Sequence, residues 1–153
     1  MRIIIQRVKE AKVEVKGKVV ASIGKGLLLL VGFTQSDKDL PGTSLWNKIL
    51  KKIINLRIFP DEEKKMNLSL LDVCGEILVV SQFTLYADIK KGNRPSFVQA
   101  ASPDIAVDLY ERFIKDLKES YNVNVKSGIF GEEMFVHLCN WGPVTIILDS
   151  EIL

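Results

Sequence analysis

Leu27-Leu28-Leu29-Leu30-Val31-Gly32-Phe33 is an apolar run bracketed by Gly24 and Gly26 on one side and by polar residues on the other. It is far too short to cross a bilayer, which takes about 20 apolar residues in a helix. A short continuous run punctuated by glycine reads as a strand covered on both faces. Ile77-Leu78-Val79-Val80-Ser81-Gln82-Phe83-Thr84-Leu85 reads as a second strand of this kind, ending in polar atoms. Strands that must be covered twice demand layers, with helices on one face of a sheet and further strands behind it.

The remaining pattern supplies those layers. Ile3-Ile4-Ile5 with Val8 predicts a strand, and Lys12-Val13-Glu14-Val15-Lys16 alternates with period two. Gly17 then turns the chain into Val19–Ile23 as a hairpin. Residues 35–43, with Pro41 and Gly42, predict a loop, as do residues 61–65. Leu45, Trp46, Ile49, Leu50, Ile53 and Ile54 recur at helical spacing, with Lys48, Lys51 and Lys52 turned outward. Ser102-Pro103-Asp104 offers an N-cap, a first-turn proline and a first-turn acid. The stripe Ile105, Leu109, Phe113, Leu117 continues that second helix. Short strands at 123–126, 134–139 and 144–148 close the chain. The expected fold is α/β: a single domain over residues 1–153, with about eight strands and two main helices in three layers, helices over sheet over sheet. The 153 residues suit one domain, and no repeat or linker divides them.

Familiar catalytic equipment is scarce. The single histidine, His137, shares a strand face with Phe135 and Cys139 and reads as a surface or seam residue. No GxSxG or HExxH is present. Asp61-Glu62-Glu63 and Glu132-Glu133 sit in turn-like contexts and read as solvated. Cys74 and Cys139 match no redox or metal spacing, so neither metal nor cofactor is expected. A net charge of +2 argues against a broad nucleic-acid face while leaving a local contact open. With two unpaired cysteines and no export signal in view, the expected address is the cytoplasm.

Two segments stand out. Ser81-Gln82-Phe83-Thr84 turns a buried strand polar at its end, which suits either a pocket or emergence into solvent. Asn140-Trp141-Gly142-Pro143-Val144-Thr145 interrupts the last two strands, and on pattern alone Gly142-Pro143 is an ordinary trans turn.

Together these segments resemble the D-aminoacyl-tRNA deacylases, also called D-tyrosyl-tRNA deacylases. The likeness rests on Ser81-Gln82-Phe83-Thr84-Leu85 and Gly142-Pro143-Val144-Thr145. Ile5-Gln6-Arg7-Val8, Lys65-Met66-Asn67-Leu68 and Gly92-Asn93-Arg94-Pro95-Ser96-Phe97 extend it along the chain. The resemblance implies a homodimer that hydrolyses the ester of D-aminoacyl-tRNA, and of glycine mischarged on tRNA. It implies a cis Gly142-Pro143 bond inserted into the partner's pocket, with both carbonyls toward the substrate ammonium and no room for an L side chain. Arg7 would tether that segment across the dimer, as against a surface strand arginine. Phe130 and Met134 would wall the terminal adenine, as against ordinary core packing. Ser81 and Gln82 would bind substrate. Phe83 and Thr84 would lie under the ester, their N–H groups forming an oxyanion hole and Thr84 positioning rather than attacking, with the substrate's 2′-hydroxyl assisting. The implied partners are the aminoacyl-tRNA 3′ end and a second copy of the chain, with no membrane and no DNA. Two other readings stay open: an RNA-end-binding module without catalysis, and a small-molecule esterase or amidase using Ser81 or Thr84.

Overall fold

A computed structural model describes residues 1–153. Its spine is one long strand, β1 (Arg2–Val15). Residues 2–8 pair antiparallel with β3 (Gly26–Gly32), and residues 11–15 pair with β2 (Lys18–Ile23). The other edge of β1 carries an equally long antiparallel strand, β8 (Phe135–Asp149). On its far side β3 pairs in parallel with β6 (Glu76–Ser81), and β6 with β7 (Val125–Ser127). Two short strands, β4 (Phe59–Pro60) and β5 (Met66–Leu68), form a separate hairpin around residues 61–65.

The sheet curls back on itself. Lys126 Nζ on β7 donates to the Ser22 carbonyl on β2 at 2.7 Å, bringing two ends of the sheet together. Inside the curl, Val8, Ala11, Val13, Val15, Ala21, Ile23, Leu28, Leu78 and Val80 form one core. The opposite face, with Ile3, Ile5, Leu27, Leu29, Ile77 and Val79, packs under the helices. The three layers are therefore helices, one wall of the curled sheet, and its other wall. Leu27–Val31 alternates between the two cores, and this is why every position in the run is apolar.

Helix α1 (Ser44–Asn55) begins where the Thr43 hydroxyl accepts from the Trp46 N–H at 3.2 Å, and it buries Trp46, Ile49, Leu50, Ile53 and Ile54. Helix α2 (Pro103–Tyr121) starts after Ser102 with proline in its first turn, as the sequence predicts, and ends at Asn122 in the left-handed conformation. The two helices lock together through the Trp46 and Phe113 rings, edge to face at 5.8 Å, and through Trp46 Nε1 donating to Asp116 at 2.8 Å.

The count of eight strands agrees with expectation, but its composition differs. The two strands expected at 3–8 and 12–16 are one. A bulge at Lys9-Glu10 shifts the alternation by one residue, so Val8 and Ala11 face the same core. The strands expected at 134–139 and 144–148 are likewise one, and Met134 lies just outside it. The hairpin of β4 and β5 restores the number. The strand expected at 77–85 stops at Ser81, and residues 83–86 form a 3-10 turn; a second such turn occupies residues 35–39 of the expected loop. Gly142-Pro143 is cis, not the trans turn that pattern alone suggests.

Candidate active site

A cavity of about 580 Å³, within the range of ligand pockets, opens at the carboxyl end of the parallel pair β3 and β6. Gly32 and Phe33 leave one strand there, and Ser81, Gln82 and Phe83 leave the other. Gly32 is required by close approach, since a Cβ at this position would lie 2.7 Å from the Gln82 carbonyl oxygen. The Gln82 N–H in turn donates to the Val31 carbonyl at 2.8 Å, which carries the pairing one residue past β6.

The walls are mostly apolar. Phe130 and Met134 line one side, joined by Gly131 and Glu132 from the same loop. Phe130 is held by Tyr110 of α2, whose ring lies 5.9 Å away. The Tyr110 hydroxyl donates to the Val79 carbonyl at 2.8 Å, and burial pushes this phenol far above its ordinary pKa, so it remains a neutral donor. On the other side Phe83 and Phe97 meet edge to face at 5.0 Å, both partly exposed. Glu132 contributes a carboxylate, held by Lys16 Nζ at 2.9 Å.

Sequence reasoning placed Ser81, Gln82, Phe83, Phe130 and Met134 at one site, and all five line this cavity. Thr84 does not. Its exposed hydroxyl accepts from Gln82 Nε2 at 2.5 Å. The 3-10 turn starts at Phe83 with Gln82 as its cap, so the Phe83 and Thr84 N–H groups have no partner within the turn. Reasoning from sequence missed Phe97 and Gly32. Phe97 ends the Gly92–Phe97 segment that extends the family likeness, but nothing in that segment's polar character marks it as a wall. It also read Glu132 as solvated, whereas Glu132 lines the cavity.

Gly142 and Pro143 lie exposed on β8 and do not line their own chain's cavity. Gly142 has φ +142°, and a Cβ there would fall 2.7 Å from Val144 Cγ2 and 3.0 Å from Arg7 Nη2. Asn140 brackets the motif, its Oδ1 accepting from the Val144 N–H at 2.8 Å. Arg7 is no surface arginine, being 6% exposed. Its Nε donates to the Trp141 carbonyl at 2.7 Å, its Nη1 donates to the Ile58 carbonyl, and its guanidinium lies over the Trp141 ring at 4.6 Å. Burial lowers its pKa from the ordinary guanidinium value. Lys9 Nζ also sits over that ring, at 3.5 Å.

His137 is away from this chemistry. Its Nε2 lies 3.5 Å from Glu14, whose carboxylate also takes Lys12 Nζ at 2.7 Å. It belongs to a second recess with Lys9, Lys12, Lys126 and Cys139 that shares no residue with the first. Both cysteines are free and exposed. No helix is long and apolar enough to cross a membrane.

Fold and cavity together define a one-domain α/β protein whose aromatic recess stands at the end of a buried parallel pair. The sequence profile of the family described as D-Tyr-tRNA(Tyr) deacylase matches residues 4–149. The chain is 54% identical over 151 residues to a D-aminoacyl-tRNA deacylase of Nitratidesulfovibrio vulgaris strain DP4, covering 98% of this chain and 93% of that one. It is 55% identical over 153 residues to a protein of the same name from Thermosipho africanus strain TCF52B, covering 99% and 98%. A solved structure of the c-Myc DNA unwinding element binding protein superposes with a TM-score of 0.86 at 39% identity, over 97% of this chain and 98% of that one. The chain therefore belongs to the D-Tyr-tRNA(Tyr) deacylase family, and it is a hydrolase.

Proposed function

We propose that the protein hydrolyses the ester of D-aminoacyl-tRNA in the cytoplasm, as a homodimer whose Gly142-Pro143 segments act as chiral filters in each other's cavities. The observation that carries the filter is its placement. The segment is rigidly held by Arg7 and Asn140, yet it projects outside its own cavity. The strand bearing it has one unpaired edge and exposes Phe135 and Ile147, 60% and 66% accessible, a surface that suits a second copy of the chain.

Within one site the roles follow from chemistry. Phe130 and Met134 present an aromatic face and a polarizable sulfur to the terminal adenine. Ser81 and Gln82 offer polar atoms to the ribose and ester. The free N–H groups of Phe83 and Thr84 stabilise the oxyanion as water adds to the carbonyl. Thr84 lies outside the cavity and positions the ester through Gln82, whose amide its hydroxyl holds; it does not attack, having no imidazole or carboxylate to take its proton. An aminoacyl ester is already activated, so orientation and oxyanion stabilisation suffice, with the substrate's 2′-hydroxyl orienting the water. Two backbone carbonyls from the partner hold the α-ammonium, and the same backbone fills the space of an L side chain. Glycine has no side chain to exclude and is accepted with the D-amino acids.

Mixed dimers test the arrangement. One subunit carries Met134→Trp, which fills its cavity, and the other Gly142→Ala, which damages its filter. The only open cavity in the mixed dimer then faces an intact Gly142-Pro143. Cleavage of D-Tyr-tRNA with L-Tyr-tRNA protected is the expected result. If L-Tyr-tRNA is lost as readily as in the Gly142→Ala homodimer, the filter does not act across subunits.

A further inference from the structure

A basic loop stands at the rim of the cavity and has no part in the roles above. The Asp88 N–H donates to the Ser96 carbonyl at 2.8 Å, and the Ser96 N–H returns a bond to the Asp88 carbonyl at 2.9 Å. This pair closes residues 89–95 into a loop whose base adjoins Phe97, a wall of the cavity mouth. Beyond Phe97, the Ala101 N–H donates to the Phe33 carbonyl at 2.9 Å, which ties the far end of the segment to the cavity wall.

The loop carries Lys90, Lys91 and Arg94, all exposed, and its one nearby carboxylate, Asp88, is engaged with the Lys90 N–H at 2.9 Å. None of the three side-chain cations meets a carboxylate, whereas Lys12, Lys16, Lys65 and Arg112 all do. Residues 88–98 thus hold a net charge of +2, equal to that of the whole chain. The rim is positive even though the protein is nearly neutral; α1, with Lys48, Lys51 and Lys52 and no acid, is positive too, but no residue of it lines the cavity. Arg94 is three residues from Phe97, so its Cα lies within about 11 Å of that wall.

Resting on the deacylase reading, we infer that Lys90, Lys91 and Arg94 bind the phosphates of the single-stranded RNA 3′ end as it leaves the cavity. A cavity that takes the aminoacylated terminal nucleoside sends the next phosphates out over its rim. Each phosphate paired with a cation releases a counterion, and for single strands this contributes about 0.7 to the salt slope of binding. Three contacts therefore account for a slope of about 2. The loop supplies grip on the RNA, and the chemistry stays in the cavity.

The test compares D-Tyr-tRNA with the D-tyrosyl ester of adenosine, which has the same ester and no phosphate. Values of kcat/KM are measured between about 50 and 200 mM KCl, the range over which phosphate contacts weaken steeply. The triple variant Lys90→Ala/Lys91→Ala/Arg94→Ala should lose about 2 in the log–log salt slope on tRNA and roughly tenfold or more in kcat/KM at low salt. Its turnover of the adenosine ester should match wild type, which also shows that it is folded. Lys90→Arg/Lys91→Arg should keep the wild-type slope. Lys48→Ala/Lys51→Ala/Lys52→Ala removes the same charge from α1, no residue of which lines the cavity, and should leave the slope unchanged. An unchanged slope in the loop variant, an equal loss on the adenosine ester, or an equal loss in the α1 variant overturns the proposal. A wild type that leaves D-Tyr-tRNA intact overturns the deacylase reading and this proposal with it.

Discussion

Replacing Arg7 with methionine removes the one side chain that links β1, the middle of β8 at Trp141 and the approach to β4. Arg7 donates to the Trp141 carbonyl at 2.7 Å and to the Ile58 carbonyl, and it covers the Trp141 ring. Hydrogen bonds from a charged donor contribute about 1.5–3 kcal/mol each, and a desolvated cation over an aromatic ring about 2. Against this, the variant no longer desolvates a cation, and methionine retains the apolar packing of the stem. The net loss is about 3 kcal/mol, which in a domain of this size lowers Tm by about 6–12 °C. Arg7→Lys keeps the charge but loses the planar fork, and should fall between the two. Thermal denaturation followed by circular dichroism gives the Tm, and hydrolysis of L-Tyr-tRNA reports whether the Gly142-Pro143 segment has moved. If Arg7→Met melts within about 2 °C of wild type and still spares L-Tyr-tRNA, Arg7 does not hold this segment in place.

Three further outcomes follow from the same geometry. Gly32→Ala puts a Cβ 2.7 Å from the Gln82 carbonyl and 3.3 Å from Leu85 Cβ, so it should displace residues 82–86 and reduce kcat at least tenfold while the protein stays folded. Steady-state kinetics beside a melting curve separates the two effects, and wild-type kcat would contradict the close approach. Phe97→Ala removes the edge-to-face partner of Phe83, a contact worth about 0.5–1.5 kcal/mol, and should raise KM about 2- to 10-fold with kcat little changed; an unchanged KM excludes Phe97 as a wall. Asp72 accepts from the Ser69 hydroxyl and N–H, both at 2.7 Å, and these bonds hold its pKa below the ordinary carboxylate value. Its folded pKa lies below its unfolded one, so its stabilisation is present above about pH 4 and is lost as pH falls through the folded value. Asp72→Asn should lose less Tm than wild type between pH 7 and pH 3, and parallel losses would refute the assignment.

The sequence was most legible where one physical signal acted alone. Leu27–Val31 had to be covered twice, and the two cores cover it. Ser102-Pro103 marked the start of α2 to the residue. Legibility failed where local irregularity resembles an ending. The Lys9-Glu10 bulge puts two outward residues in succession, which from pattern alone is a strand end. Phe83 and Leu85 resume apolar character after Ser81-Gln82, which reads as more strand, yet β6 stops at Ser81 and residues 83–86 form a 3-10 turn packed against Gly32. The hairpin of β4 and β5 is too short and too proline-marked to show a period. At the site, side chains such as Ser81, Gln82, Phe130 and Met134 could be named from motifs. Phe97 could not, because its role depends on two hydrogen-bonded pairs that bring a polar loop back to the cavity. The exposure of Gly142 beside a buried Arg7 is likewise a property of packing, invisible in the spacing of residues.

Chirality is the most direct point of attack. Wild-type protein is incubated in parallel with D-Tyr-tRNA and L-Tyr-tRNA under identical conditions, and release of labelled tyrosine is followed with time. The account predicts rapid loss of the D ester and retention of the L ester at the rate of its spontaneous hydrolysis. Equal cleavage of both esters, or survival of the D ester, contradicts it.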